Sequence, residues 1–172
     1  MNPIKKISIT DAAMISEIHK QCFTENWNEN SFRNMLSDDH YFGFTVADFE
    51  KIERGFVLCK HIFNEIEIIT FCILPKCRGQ GLGKRLINEV KKYAYTLLPS
   101  AKIFLEVSKD NIAAINLYHY AGFKKITERK KYYNSPHGLV DAVVMMLEIR
   151  NIATNNKLLN LISFTNIYLF IL

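Results

Sequence analysis

The 172-residue sequence contains no C-x-x-C pair and no histidine pair that would complete a zinc pattern, so no metal is expected. Its four cysteines are Cys22, Cys59, Cys72 and Cys77. Three of them lie in apolar strand-like or helix-like segments, where a buried free thiol is the ordinary occupant, and a reducing, cytoplasmic home fits. No long apolar run precedes a small-residue cleavage site in "MNPIKKISITDAAM", so no signal peptide is expected. There is no Gly/Ser-rich linker and no internal repeat. Acidic residues are in the minority, 17 against 22 Lys and Arg, giving a formal net charge of +5. That mild surplus suits an anionic cofactor. It is too small to imply direct nucleic-acid recognition, which is not expected.

What is present describes one domain with a real core. Apolar residues make up 49% of the chain and charged residues 23%, the balance of a globular protein. "IKKISI" alternates like a strand, and Thr10 or Asp11 then caps a helix running to about Phe23. "TENWNEN" is a polar break, followed by a short helix through Phe32, Met35 and Leu36. Tyr41–Phe49 and Arg54–His61 read as successive strands, and a turn follows at Phe63-Asn64. "EIEIITFCIL" begins as an alternating strand and becomes continuously apolar, as a doubly covered central strand does. A helix is expected from about Gly83 to Leu98, broken at Pro99-Ser100, then a strand, "KIFLEVS". Asp110 is a plausible N-cap and Gly122 a left-handed stop for the helix in "DNIAAINLYHYAGF". Two long strands joined around "NSPHG" complete the order β-α-α-β-β-β-α-β-α-β-β. The β-α-β-α portion needs a parallel crossover and the hairpins need antiparallel pairs, which predicts an α/β (α+β) mixed sheet with helices on both faces. This domain is expected over residues 1–150. Residues 151–172 form a separate tail whose run from Leu158 is short and interrupted by Asn160, Ser163, Thr165 and Asn166. A membrane-spanning helix needs about 20 mostly apolar residues. A docked helix or loose terminus is the expectation there, with weak membrane contact as the other reading.

"CRGQGLGKRLINEV", from Cys77 to Val90, places three glycines on alternate positions ahead of an amphipathic pattern. A Walker A loop is excluded: Arg78 stands where its first glycine belongs and Arg85 where its magnesium-binding hydroxyl belongs. A dinucleotide fingerprint could open with Gly79 and Gly81, but Lys84 holds its third glycine place and no acidic residue follows at the usual spacing. What remains is [QR]-x-x-G-x-[GA], met by Arg78, Gly81 and Gly83. Successive backbone N–H groups at such a helix N-terminus can converge on a phosphate, and Lys84 and Arg85 can meet further oxygens.

Downstream, "IFLEVSKDNIAAINLYHYAGF" ends a strand with an acidic residue, opens a helix with asparagine and closes it with "LY…GF". Together with the loop and "KKYYNSPHGLVDAVVMML", this resembles the GNAT N-acetyltransferase superfamily over about residues 4–149. Within it, the sequence is most like the bacterial ribosomal-protein-alanine N-acetyltransferases, from which it departs at Val140, where an acidic residue is usual. The resemblance implies the GNAT acyl-CoA N-acyltransferase fold, acetyl-CoA as co-substrate and an acceptor that is a protein N-terminal α-amine, that of ribosomal protein S18 above all. It implies a cytoplasmic monomer or weak dimer without a membrane span. Two other readings stand beside it: an acetyltransferase acting on a lysine side chain or small-molecule amine, and a non-catalytic coenzyme A-binding module.

The resemblance also assigns residues. Arg78, Gly79, Gln80, Gly81, Leu82, Gly83 and Lys84 would cradle the pyrophosphate. Phe71, Cys72 and Ile73 would offer main-chain groups to the pantetheine arm, although they read equally as core strand residues. Asn111, Ala114, Ile115 and Tyr118 fall at i, i+3, i+4 and i+7 on one helix face. Ile115 reads as core, whereas Asn111 is a poor core residue and would bond the cofactor arm. Tyr118, ordinarily titrating near 10, would be the general acid, or else a half-buried core tyrosine. Glu106 interrupts an apolar strand; it faces solvent or serves as general base, since an unpaired buried carboxylate is costly. Trp27, Tyr132, Tyr133 and Asp141 are the candidates to wall or orient the acceptor.

Overall fold

A computed structural model describes residues 4–97, 100–135 and 138–150. The expectations for the tail 151–172, for the break at Pro99 and for Pro136–His137 of the last turn lie outside them. Strands β1 (Ile4–Lys6), β2 (Tyr41–Ala47), β3 (Glu53–Ile62), β4 (Glu65–Ile73), β5 (Ser100–Ser108), β6 (Lys124–Ser135) and β7 (Gly138–Arg150) form one sheet ordered β1-β2-β3-β4-β5-β7-β6. Only β4 and β5 pair in parallel; the other neighbours are antiparallel. Helices α1 (Ala12–Cys22), α2 (Glu29–Leu36), α3 (Leu82–Leu97) and α4 (Ile112–Tyr120) complete the expected order.

The helices divide between the two faces. Leu82, Leu86, Ile87, Val90 and Ala94 of α3 are buried against Val57, Ile66, Ile103, Leu105 and Met145 of the sheet, with Tyr118 and Phe123 in the same cluster. Each large aliphatic side chain so buried contributes roughly 1.5–3 kcal/mol. On the opposite face Ala12, Ile15 and Ile18 of α1 and Phe32 of α2 close over Phe56, Leu58 and Cys72. These apolar positions recur at helical spacing, which is why the segments fold as amphipathic helices against a sheet.

One irregularity shapes everything that follows. Along the β3–β4 pair, Leu58 faces Thr70 but Cys59 faces Ile68, so Ile69 is an extra residue. The bulge reverses side-chain parity. Before it, Ile66 and Ile68 face the α3 side; after it, Phe71 and Ile73 do, while Cys72 turns to α1. The seemingly unbroken apolar run of β4 is therefore two alternating stretches joined out of phase. Pairing of β4 with β5 runs from Glu65↔Lys102 to Ile68↔Leu105 and stops there. Beyond it β4 stays with β3 and β5 stays with β7, so the two central strands part.

Two helix starts differ from expectation. A short 3-10 turn at Ile9–Asp11 precedes α1, and the Asp11 carboxylate accepts from the Ser8 amide at 2.8 Å. At α4 the N-cap is Asn111 rather than Asp110, because Asn111 Oδ1 accepts the Ala114 amide at 3.1 Å. Asp110 lies one residue too early to reach that donor. Gly122, at φ +97°, ends α4 as expected.

Candidate active site

The glycine loop sits at the end of β4 beside the parted strands. The Ile73 carbonyl anchors it, accepting from Arg78 Nε at 3.1 Å and from Cys22 Sγ at 3.6 Å. The Arg78 side chain is thus committed at Nε to holding the loop on β4. The exposed Gln80 side chain donates back to the Lys76 carbonyl at 3.4 Å. Gly79 and Gly81 both have φ +77°, in the left-handed region that glycine enters without strain. A Cβ on either would meet nothing within 4 Å, so the loop surface is open. Arg85 N–H bonds the Gly81 carbonyl at 3.2 Å, which makes Gly81 the last residue before α3. The amides of Leu82, Gly83 and Lys84 are then first-turn donors with no acceptor in their own helix. Leu82 offers only its backbone, its side chain being buried in the core. Gly83 has a packing reason to lack a side chain: a Cβ there would lie 3.0 Å from Leu117 Cδ2. It lets α3 and α4 approach.

Phe71 and Tyr118 bring β4 and α4 together, their rings edge-to-face at 6.0 Å, and Tyr118 meets Phe123 at 5.8 Å. Tyr118 is 5% exposed, and burial pushes its hydroxyl pKa well above the ordinary tyrosine value. The stripe that placed Asn111 and Tyr118 on one face is corrected in part, since Asn111 stands ahead of the helix as its cap.

Glu106 lies past the last β4–β5 pair, on β5 opposite Val144 of β7. Its side chain is 17% exposed and forms an ion pair with Arg129 Nη1 at 3.0 Å. The Tyr132 hydroxyl bonds the same carboxylate, and this raises the Tyr132 pKa. Tyr133 is pushed up to about 12, first by burial and then by the Glu106 charge. Tyr133 adds a smaller upward push to Tyr118, after that of burial. Arg129 is the residue that sequence reasoning missed. Two register shifts in β6 separate it from any simple count of alternation, so its place beside Glu106 had no readable signal.

Asp141 explains how β6 delivers these side chains. Between Arg129↔Ala142 and Tyr133↔Val140 the strand bulges, and Lys131 takes a left-handed φ of 54°. Asp141 accepts the Lys131 amide at 3.0 Å and pairs with Lys130 Nζ at 2.9 Å. These two bonds hold its carboxyl below the usual range, the Lys130 contact contributing most. Asp141, proposed from sequence to face the acceptor, is a staple of the bulge. Asp141→Ala is expected to lower kcat/KM by about tenfold through displaced Tyr132 and Tyr133, with little change in melting temperature because the ion pair is exposed. Steady-state kinetics and a thermal melt check both.

Trp27 is anchored between α1 and α2. Its ring stacks on His19 at 5.0 Å and its amide donates to His19 Nδ1 at 3.2 Å. Burial lowers the His19 pKa to about 4, so the ring stays neutral and accepts that bond. Trp27 thus packs the α1–α2 junction and is half-buried. Beside Glu106 a cleft of ≈ 260 Å³ is lined by residues of β3, β4, β5, β6 and β7, among them Lys60, Glu65, Glu67 and Arg129. Among the described residues no group of three or more His, Cys, Asp or Glu could hold a metal ion, and no helix is long and apolar enough to cross a membrane.

With this geometry in place, the similarities to known proteins can be read. The ribosomal protein bS18-alanine N-acetyltransferase of Escherichia coli strain K12 is 29% identical over 153 residues, covering 87% of this chain and 99% of that enzyme. The crystal structure of the S18-alanine enzyme from Escherichia coli matches with a TM-score of 0.80 at 27% identity, over 88% of this chain and 96% of the other. Arabidopsis thaliana NAA60 in complex with acetyl-CoA matches with a TM-score of 0.75 at 20% identity, over 87% and 99%, a likeness of fold. A family model for the GNAT acetyltransferases matches residues 12–123, from the start of α1 to the residue after α4 closes. The chain belongs to the GNAT acetyltransferase family.

Proposed function

We propose that this N-acetyltransferase moves the acetyl group of acetyl-CoA to the N-terminal α-amine of a protein, with the N-terminal alanine of ribosomal protein S18 as its acceptor. The observation that carries the reading is the opening between β4 and β5, with the glycine loop following the end of β4 and Glu106 standing on β5 just past the last pair of the two strands. The similarity to the bS18-alanine enzyme over nearly its whole length supports the choice of acceptor.

The residues present fit the coenzyme. The open left-handed turn at Gly79 and Gly81, with the first amides of α3, suits a pyrophosphate, because backbone donors and the helix dipole favour an anion there. Lys84 adds a mobile cation. Phe71, Cys72 and Ile73 lie where β4 has left β5; the Cys72 carbonyl is turned to Gly55 of β3 and the Ile73 carbonyl holds the loop, so Phe71 and the Ile73 amide are the main-chain groups to spare for an extended arm. Asn111 Oδ1 is used by the α4 cap, so its amide nitrogen is the atom free for the arm. Acetyl-CoA supplies the activated thioester. The chain's own task is to take a proton from the amine and support the departing sulfur.

Glu106 is the proton acceptor. An α-amine titrates near 7.7–8.0, so a positioned carboxylate, acting directly or through one water, suffices. Tyr118 supports the sulfur side. Tyr132 fixes the Glu106 carboxylate and is the partly exposed aromatic beside it.

The deciding assay offers acetyl-CoA with two peptides. One carries the S18 N-terminal sequence with a free α-amine; the other has a blocked N-terminus and one internal lysine. Mass spectrometry is expected to show the acetyl group on the α-amine of the first. Acetylation of the lysine alone would move the function to a side-chain acceptor. No product on either peptide, with coenzyme A bound, would leave a binding module.

A further inference from the structure

We infer that Arg129 is a specificity-determining residue: paired with Glu106, it disfavours acceptors that arrive as permanent cations, such as lysine side chains and polyamines, and so favours α-amines. The inference rests on the α-amine reading above and extends it to the residue responsible for the choice.

The chemistry begins with the amine. Near pH 7.5 an α-amine is roughly one-third neutral, whereas a lysine amine is about 0.1% neutral. The ammonium form of either must lose a proton before attack. A lysine or polyamine nitrogen therefore reaches the site as an ammonium and depends on the site to hold that charge until its proton leaves. An unpaired carboxylate would hold it well. Glu106 is not unpaired: Arg129 Nη1 lies 3.0 Å from Oε1, and the Tyr132 hydroxyl bonds the same carboxylate. The Arg129 guanidinium also lies over the Tyr132 ring, 5.5 Å from its centroid, which restrains it.

The cleft as a whole obeys the same logic. Three carboxylates line it, Glu65 and Glu67 from β4 and Glu106 from β5, and two cations, Lys60 from β3 and Arg129 from β6. Lys60 Nζ stands over the Tyr41 ring, 5.3 Å from its centroid. Arg129 is thus the cation that neutralises the reacting end. Without it the cleft lining would set three carboxylates against one cation, Lys60, with Lys102 in register beside Glu65 at the far end, and the cleft would draw ammonium groups toward Glu106. A neutral α-amine loses little from the present arrangement, because it brings no charge to be repelled.

The test compares wild type, R129Q and R129K on three acceptors: an alanine-terminated peptide without lysine, its N-acetylated counterpart carrying one lysine, and spermidine. The readout is the ratio of kcat/KM for the α-amine peptide to that for each cationic acceptor. R129Q is expected to lower this ratio by about tenfold or more, chiefly through a lower KM for the lysine peptide and spermidine. That gain should shrink at 0.5 M salt, where charge attraction is screened. R129K keeps the charge and is expected to stay near the wild-type ratio. The Arg129 side chain is 57% exposed on an edge strand, so both variants should fold, and acetyl-CoA binding by calorimetry reports an intact cofactor site. A wild-type ratio above one that R129Q leaves within about threefold overturns the role of Arg129 while the α-amine reading survives. R129K behaving like R129Q overturns it too, because shape rather than charge would then decide. A wild-type ratio below one overturns the α-amine reading itself, and this inference with it.

Discussion

Glu106→Gln is expected to lower kcat/KM for an α-amine peptide by about 10²-fold or more at neutral pH, within the range general-base catalysis contributes. The substitution preserves shape and can still accept from Tyr132, so the approach and the cofactor site stay in place. What it removes is the ability to take a proton, both from an arriving ammonium and from the nitrogen as it bonds to the acyl carbon. It also leaves Arg129 without its ion-pair partner, but that guanidinium is more than half exposed and water can serve it. Acetyl-CoA affinity, measured by calorimetry, should be unchanged.

The pH dependence carries the sign. An α-amine titrating near 8 deprotonates itself as pH rises. The deficit of Glu106→Gln should therefore be largest near pH 6.5, where the amine arrives protonated, and should narrow toward pH 9.5 as bulk solvent does the work of the base. A variant that stayed within about threefold of wild type at neutral pH would show that Glu106 is a partly exposed strand residue and nothing more. A constant deficit across the whole pH range would show that the carboxylate does not take the proton of an arriving ammonium.

The legibility of this molecule in its sequence follows from local physics. Element order was readable because each helix carries an apolar face and each hairpin an interrupting polar turn. The glycine loop was readable because phosphate cradling imposes spacing on consecutive residues. Glu106 stood out because a carboxylate in "IFLEV" breaks an otherwise apolar strand. Arg129 and the duty of Asp141 were hidden. Both depend on the β6–β7 register, which two shifts reset, and a register shift leaves no mark on composition. The bulge at Ile69 was masked differently: by reversing parity it made two alternating stretches look like one continuous apolar run. Asp110 and Asn111 are equally good caps by residue type, and only the backbone turn places Asn111 in reach of Ala114. Cross-strand geometry and single-residue offsets are the terms that one-dimensional pattern cannot hold.

Tyr118→Phe is expected to lower kcat by about 10–150-fold, the value of one hydrogen bond to a developing charge at roughly 1.5–3 kcal/mol. This is the variant that separates a catalytic tyrosine from a core one. The ring is packed between Phe71 and Phe123, and phenylalanine keeps those contacts, so the melting temperature should hold. Burial also refines the role. A tyrosine whose pKa rises above 10 is a weaker acid, and the thiolate of a thiol titrating near 8.5 is too weak a base to take its proton readily. Tyr118 is accordingly better suited to donate a hydrogen bond to the departing sulfur than to surrender its proton outright. The direction of the shift makes this testable. Because the folded pKa is raised, the hydroxyl remains protonated, and the donor remains available, throughout about pH 6–10. Wild type and Tyr118→Phe should then give parallel kcat profiles over that range, offset by a constant factor. An alkaline limb present in wild type and missing from the variant would mean that Tyr118 does give up its proton during turnover. Unchanged kcat with an unchanged or higher melting temperature would return it to the hydrophobic core, leaving the sulfur to be supported by the first turn of α4 or by solvent.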